Sequence, residues 1–392
     1  MAQFGLTPRQ QEYVDHVRDL AAAELREIPH SEGRVNRRLL AELGRLGLLR
    51  GLFGGNPDDS PREAAAMQLC LLRETLAGVS TEAETALALQ GLGSYPILQS
   101  GRPATVARWI PGVVSGDVVA AFALSEPGAG SDAAALALRA ESDGGGSTGA
   151  GQAWRLSGEK TWISNAPEAD VYTVFARTTA DAGARGVTAF AVAGDAEGLS
   201  GEHLDLLAPH AIGRLVFDGV RVTGDDVLGE VDAGFAVAMR TLDLFRPSVG
   251  AFAVGMAQAA LDAAVAWSIE REIYGAPLHE QQTVQHTLAE MATRVQASRL
   301  LVQAAASSYD EGAPAREVTT SAAMAKLFAT ETAQWVVDQA VQVHGARALQ
   351  RGHLLEHLYR EVRAPRIYEG ASEVQRTIIG RSLIRSAQEG EQ

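Results

Sequence analysis

One cysteine, Cys70, occurs in 392 residues, so no disulfide can form within the chain. A reducing compartment fits that scarcity. Leu69, Leu71 and Leu72 flank the thiol, which predicts a buried structural cysteine. Positive charge is also short: 34 Lys and Arg against 48 Asp and Glu leave a net charge of -14. Such a balance argues against broad nucleic-acid binding and against docking to an anionic membrane. No uninterrupted apolar run approaches the roughly 20 residues that span a bilayer. Met1 to Leu20 carries Asp, Glu and Arg in place of a signal-like apolar core, and a cytoplasmic location is expected. The Gly-x-Gly-x-x-Gly spacing falls at 144–149, in a Gly-rich stretch with no helix start after it, and no Walker motif is present, so nicotinamide chemistry and nucleotide hydrolysis have little support.

What remains is an ordinary globular composition, 46% hydrophobic and 21% charged, long enough for two or three domains. From Thr7 to about Ser115 the pattern is helical. Thr7-Pro8 opens it, and Tyr13, Val14, Val17 and Leu20 follow at helical spacing. Asn56 to Pro61 reads as a loop, and Pro96, Pro103 and Pro111 punctuate the rest. At Val118 short β-rich runs begin: 118–122, 153–156, 171–175, 187–192 and 215–217. Asp143 to Gly151 reads as a Gly-rich hairpin loop, with no helix start after it that would make it a phosphate cradle. After Gly234 Ala-rich helical patterns continue to the end. Grouped strands between helical segments predict an α+β chain, mostly α. Its expected parts are an N-terminal helical domain at 1–117, a middle β domain at 118–232 and a C-terminal helical bundle at 233–392.

Near the C-terminus, Arg363-Ala-Pro-Arg-Ile-Tyr-Glu-Gly-Ala-Ser-Glu-Val-Gln-Arg376 sets Glu369 on a short break between helical segments. Pro365 cannot extend the helix before it, and Gly370 permits backbone angles closed to other residues. Ser372 and Gln375 have capping-box spacing for the next helix, whose apolar face is Val374, Ile378 and Ile379. A carboxylate at such a break, beside Tyr368 and clear of obvious cationic partners in sequence, suits a proton acceptor. Two other signatures mislead. His353-Leu-Leu-Glu-His357 has inverted zincin spacing without a further acidic ligand motif, and no metal is expected. Ser157-Gly-Glu-Lys160 matches Ser-x-x-Lys without its companion motifs and reads as a hairpin.

The run Ile367 to Arg376 closely resembles the C-terminal signature of the FAD-dependent acyl-CoA dehydrogenases. Phe122-Ala-Leu-Ser-Glu-Pro-Gly-Ala-Gly-Ser-Asp132 is similar to that family's flavin-binding segment, and Gly158-Glu-Lys-Thr-Trp-Ile-Ser-Asn-Ala166 follows at the family's distance. The likeness runs in order through most of the chain. It implies a four-helix bundle as the C-terminal domain and a flavin between the β domain and the bundle. Around the flavin it implies Phe122, Leu124, Ser125, Gly130 and Ser131 from the first segment, and Trp162, Ile163 and Ser164 from the second. Ser125 and Ser164 stand where the family usually carries Thr. Trp162 would lie against the ring, and Gly128 and Gly130 would let the backbone approach closely. Arg271, Tyr274, Gln281 and Gln282 resemble the segment that reaches the nucleotide from a neighbouring subunit, the guanidinium of Arg271 suiting a pyrophosphate. Gln342, Val343, Gly345 and Ala346 resemble the family's Gln-x-x-Gly-Gly nucleotide contact. Ala371 and Glu373 complete the cofactor set. Ser131, Asp243, Arg246, Tyr368 and Gly370 are implied to touch substrate.

The resemblance implies α,β-dehydrogenation of an acyl thioester, on coenzyme A or a carrier. Glu369 removes the α proton while the β hydrogen leaves as hydride. The thioester carbonyl is polarised by the N–H of Glu369 and a flavin ribityl hydroxyl. Some relatives place the base at the position of Phe245; the aromatic there leaves the role to Glu369. An electron-transfer flavoprotein is the implied acceptor, and a homotetramer or dimer the implied assembly. A flavin-dependent oxidase or N-hydroxylase on the same scaffold stays open, as does a non-catalytic acyl-thioester binding protein. Departures from the family pattern are Ala371 in place of a frequent Thr, Ala346 in place of the second Gly, and His344 at a usually apolar or aromatic position.

Overall fold

The computed structural model describes residues 5–25, 28–55, 59–143 and 151–390. The loop expected at Asn56 to Pro61 and the Gly-rich segment expected at Asp143 to Gly151 fall largely outside them. The helices are α1 (Pro8–Glu24), α2 (Arg37–Arg45), α3 (Ala66–Ala77), α4 (Thr81–Ser100), α5 (Pro103–Ser115), α6 (Gly234–Glu270), α7 (Gln282–Asp310), α8 (Ala315–His344), α9 (Leu354–Glu361) and α10 (Ser372–Gly390). A short ribbon, β1 (Phe53–Gly54) with β2 (Arg62–Glu63), precedes the main sheet of β3 (Ala120–Ala123), β4 (Arg139–Ser142), β5 (Ala153–Ser164), β6 (Val171–Arg177), β7 (Val187–Ala193), β8 (Leu199–His203), β9 (Ile212–Thr223) and β10 (Val227–Leu228). A second ribbon, β11 (Glu272–Ile273) with β12 (Ala276–Pro277), follows α6.

The chain packs as two compact units. One comprises Met1–Arg26, Ala65–Glu84 and Asp243–Gln392; the other comprises Glu27–Ala64 and Thr85–Leu242. In the first, α1 and α3 join α7, α8, α9 and α10. α1 starts as its sequence dictates: Pro8 occupies the first helical position, and Thr7 and Gln10 form a reciprocal capping box. Cys70 is buried in α3.

In the second unit the strands run in the order β10-β7-β6-β4-β5-β9-β8, with β3 parallel to β6. β6 and β7 are buried along nearly their whole length, so their sequences show no alternation. β4 and β8 lack an apolar pattern because most of their residues face solvent, and sequence periodicity missed both. Pro96 and Pro111 lie inside α4 and α5 and do not end them. Near Pro96 the Ser94 hydroxyl donates to the Gly91 carbonyl and the Thr173 hydroxyl to the Gly93 carbonyl, hydrogen bonds that help satisfy the backbone around the proline.

By length and composition α6 is apolar enough to cross a membrane, although polar residues interrupt its apolar stretch. Of its most apolar window, 67% is buried inside the protein, as in a core helix.

Candidate active site

The break predicted around Glu369 is present. Pro365 is buried in a 3-10 turn after α9, and the chain then passes through two left-handed residues, Glu369 at φ +51° and Gly370 at φ +95°. For Glu369 this conformation costs about 1–2 kcal/mol, so surrounding contacts must hold it. The predicted capping box does not form. Gln375 N–H donates to the Ala371 carbonyl at 3.0 Å. The Ser372 hydroxyl donates to Glu331 of α8 at 2.6 Å. The Gln375 amide turns back onto the carbonyls of Gly370 at 2.8 Å and Glu369 at 3.3 Å. Tertiary partners outcompete the local cap because carbonyls exposed by the turn need donors. A Cβ at position 370 would stand 2.5 Å from the Gln375 amide nitrogen, the movable end of a side chain, so it is the φ of +95° that favours glycine there.

Sequence left Glu369 without cations; the fold supplies three. Arg73 of α3, Lys326 of α8 and Arg246 of α6 all face it. Burial pushes the Glu369 carboxyl above the usual carboxylate range, and the three cations, Arg73 foremost, oppose that rise. Its Oε2 is sealed from solvent and has no hydrogen-bond partner among the described residues. Its N–H donates to no group among the described residues.

The cations are themselves tied elsewhere. Arg73 donates to Glu84 at 2.5 Å and to the Ser248 hydroxyl at 2.7 Å. Arg246 pairs with Asp243 at 3.1 Å and donates to the Glu369 carbonyl at 3.3 Å. Asp243 also accepts from Thr319 at 3.0 Å, and burial raises its carboxyl against those two partners. Lys326 donates to the Gly370 carbonyl at 2.7 Å. Phe245 is fully buried, whereas Tyr368 is exposed. Arg73, Lys326, Glu84 and Glu331 escaped sequence reasoning because each lies far from Glu369 along the chain; a charged residue among apolar helical positions, as at Arg73 and Lys326, was the available signal.

In the second unit the two hallmark segments lie side by side. Thr161 N–H donates to the Ser125 carbonyl at 3.0 Å. Lys160 reaches the Leu124 carbonyl at 2.8 Å and Glu126 at 2.7 Å. Glu126 in turn accepts from the N–H groups of Ala137 and Leu138. The pairing of β5 with β9 slips between Lys160 and Ile163. At that bulge Trp162 adopts φ +59° and leaves its indole 57% exposed, while Ile163 is buried. Ser125 and Ser164 are half-buried; Gly130 and Ser131 are exposed. Phe122 is half-buried and tilts against Phe175. No atom lies within 4 Å of a Cβ built at Gly128 or Gly130.

The Arg271 and Gln342 segments belong to the first unit. Arg271 opens the β11–β12 ribbon, whose tip holds Tyr274 at φ +54° and 94% exposed. Gln281 and Gln282 follow at the start of α7. Arg271 N–H bonds the Trp267 carbonyl, and the Trp267 ring stacks on His344 at 5.4 Å. The Arg271 and Gln342–Ala346 segments are thereby neighbours. Gly345, at φ +68°, terminates α8. Ala371 is half-buried at the base loop, and Glu373 is exposed and pairs with Arg376.

The His-x-x-Glu-His stretch has structural partners. His353 caps α9, His357 bonds Thr81 at 2.6 Å, and Glu356 pairs with Arg360 at 2.8 Å.

The chain is similar to known proteins over most of its length. The acyl-CoA dehydrogenase N-terminal, middle and C-terminal domain descriptions match residues 7–117, 121–220 and 232–384. The mitochondrial short-chain specific acyl-CoA dehydrogenase of Bos taurus is 37% identical over 378 residues, 94% of this chain and 88% of the relative. Cyclohexane-1-carbonyl-CoA dehydrogenase of Geobacter metallireducens is 34% identical over 358 residues, 91% of each chain. The solved butyryl-CoA dehydrogenase of Megasphaera elsdenii superposes with a TM-score of 0.87 at 33% identity, covering 97% of this chain and 100% of that one. The chain belongs to the acyl-CoA dehydrogenase family, an oxidoreductase with a helical N-terminal domain, a β-sheet middle domain and a helical C-terminal domain. The activity at this coarse level is dehydrogenation of an acyl-CoA.

Proposed function

We propose that this enzyme performs FAD-dependent α,β-dehydrogenation of an acyl thioester with Glu369 as the base. One observation carries the reading: a carboxylate oxygen shielded from solvent and without a hydrogen-bond partner among the described residues, on a residue held in a left-handed turn. Burial without a hydrogen-bond partner makes such an oxygen basic, and a raised carboxyl is tuned to remove a weakly acidic α proton. The adjacent N–H of Glu369, unbonded within the described chain, is a ready donor to the thioester carbonyl. A donor placed where negative charge develops is worth several kcal/mol, on the order of 3. Asp243, Arg246, Ser131, Tyr368 and Gly370 are the proposed substrate contacts.

The residues around Trp162 fit a flat ring with polar edges. The indole is exposed on a strained backbone at the bulge between β5 and β9. Two serine hydroxyls stand in the adjoining segments, and Gly128 and Gly130 leave open space where side chains would project. Phe122, Leu124, Ser125, Gly130, Ser131, Trp162, Ile163 and Ser164 would hold the flavin. Arg271, Tyr274, Gln281, Gln282, Gln342, Val343, Gly345, Ala346, Ala371 and Glu373 would serve its nucleotide portion, with the Arg271 set in the role of a neighbouring subunit. Bound FAD supplies the hydride acceptor. Transfer onward to an electron-transfer flavoprotein, a homo-oligomeric assembly and a cytoplasmic location belong to the same proposal.

The decisive experiment is anaerobic mixing of purified protein with acyl-CoAs of varied length and branching while the flavin absorbance is followed. Glu369→Gln should retain its yellow colour and lose bleaching roughly a thousandfold. Full bleaching by that variant would remove Glu369 from the role. Rapid reoxidation of the bleached wild type by air would transfer the reading to an oxidase.

A further inference from the structure

Lys326 lies in the middle of α8, and its side chain is fully buried. Buried lysines ordinarily have a carboxylate partner, yet Lys326 makes no ion pair among the described residues. Its ammonium is spent on one carbonyl, that of Gly370, at 2.7 Å. That carbonyl also accepts from the Gln375 amide at 2.8 Å, so Lys326 is not needed to satisfy it. The carbonyl next to it, of Glu369, accepts from Arg246 and Gln375. Two consecutive peptide oxygens of the base loop are thus gripped from α6, α8 and α10.

Resting on the reading of Glu369 as base, we propose that Lys326 is a positioning residue for the reaction: its buried ammonium locks the Gly370 carbonyl and so fixes the left-handed turn that aims the Glu369 carboxylate. A charge whose hydrogen bond is redundant and whose burial is costly is retained for something other than folding. The groups facing it are Glu369 from the base loop, Arg246 from α6, Glu331 from α8 itself and Glu373 from α10; Arg73 from α3 and Arg246 are the other cations facing Glu369.

Burial lowers Lys326 from the usual 10.5 to about 8, although Glu369, Glu331 and Glu373 favour its charged form. The lock is therefore fully charged below about pH 8 and is released as pH rises through that value. Unfolded chain binds more protons than native chain between those two values, so the buried charge costs stability at neutral pH. Removing it should leave the fold intact or firmer.

Lys326→Met and Lys326→Arg test this in the flavin-loaded enzyme, beside Glu369→Gln. Lys326→Met should melt at or above the wild-type temperature and still bind flavin. It should bleach roughly a hundredfold more slowly, the scale of a misplaced catalytic group, and lack the alkaline fall in rate near pH 8 expected of the wild type. Lys326→Arg, which keeps the charge and the donor, should recover most of the rate and shift that fall upward. Wild-type rate and pH profile in Lys326→Met would overturn the proposal, as would a lowered melting temperature accompanied by a normal rate per folded molecule. If Glu369→Gln bleaches at full speed, the base assignment itself fails; a normal Lys326→Met beside an inert Glu369→Gln rejects the lock alone.

Discussion

Each compact unit contains a buried lysine that donates to a backbone carbonyl close to a strained, non-glycine residue, and the two lysines are satisfied differently. In the second unit Lys160 bonds the Leu124 carbonyl and has Glu126 at 2.7 Å, a carboxylate also held by two backbone N–H groups. In the first, Lys326 bonds the Gly370 carbonyl without an ion-pair partner among the described residues. Burial lowers both to about 8. A paired lysine with a complete network behaves as part of the framework, since removing one member strands the other. An unpaired lysine aimed at a turn is an expense that only the turn's use explains. The strained residues differ in the same sense: the Trp162 turn comes from a sheet bulge with its side chain left to solvent, whereas the Glu369 turn is held by side chains from three helices.

The sharpest way to test the contrast is at the two strained residues themselves. Glu369→Gln should abolish bleaching roughly a thousandfold with flavin content unchanged. Trp162→Ala should do the reverse, leaving the base intact and lowering flavin retention on dialysis. Next in size is the framework lysine. Lys160→Met leaves Glu126 buried without its cation and should cost about 3–5 kcal/mol in denaturant unfolding. Lys160→Met combined with Glu126→Leu should recover part of that loss. If Lys160→Met proves as harmless to stability as Lys326→Met is expected to be, the distinction between the two lysines collapses.

For Trp162→Ala, loss of the indole should weaken flavin binding roughly tenfold, read from the flavin-to-protein absorbance ratio. Trp162→Gly loses the same ring but relieves the φ +59° backbone, and should be about 1 kcal/mol more stable than Trp162→Ala. Equal stabilities would show that the bulge stores no strain.

The smallest effect is the pH dependence of stability at Glu369. Its carboxyl is raised in the native protein, so native chain holds a proton that unfolded chain releases as pH climbs above the ordinary carboxylate value. Stability contributed by the protonated form is then lost with rising pH. Glu369→Gln should melt like the wild type in acid and pull ahead of it toward neutral pH. A gap that narrows as pH rises would contradict the raised carboxyl.

The helical, β and helical order of the chain was legible from periodicity, and so was α1, whose cap, first-turn proline and apolar spacing agree. β4 and β8 were not, because solvent-facing strands carry no alternating apolar signal. The capping box read at Ser372 and Gln375 shows the limit of local rules. The spacing was right, but Glu331 and the base-loop carbonyls recruited both side chains. Likewise, the Glu369 break was visible in Pro365 and Gly370, while the cations around its carboxylate were not.

By itself the sequence determined which residue types stand at each motif, where helices must stop, and that one acidic loop interrupts two helices near the C-terminus. Those features follow from backbone sterics and short-range hydrogen bonding, which act within a few residues. Only the tertiary structure decided that α1 and α3 pack with the C-terminal helices, that Arg73, Arg246 and Lys326 converge on Glu369, and that its Oε2 has no partner among the described residues. Burial and charge act through space, and the residues that meet there are separated by up to 296 positions along the chain, from Arg73 to Glu369.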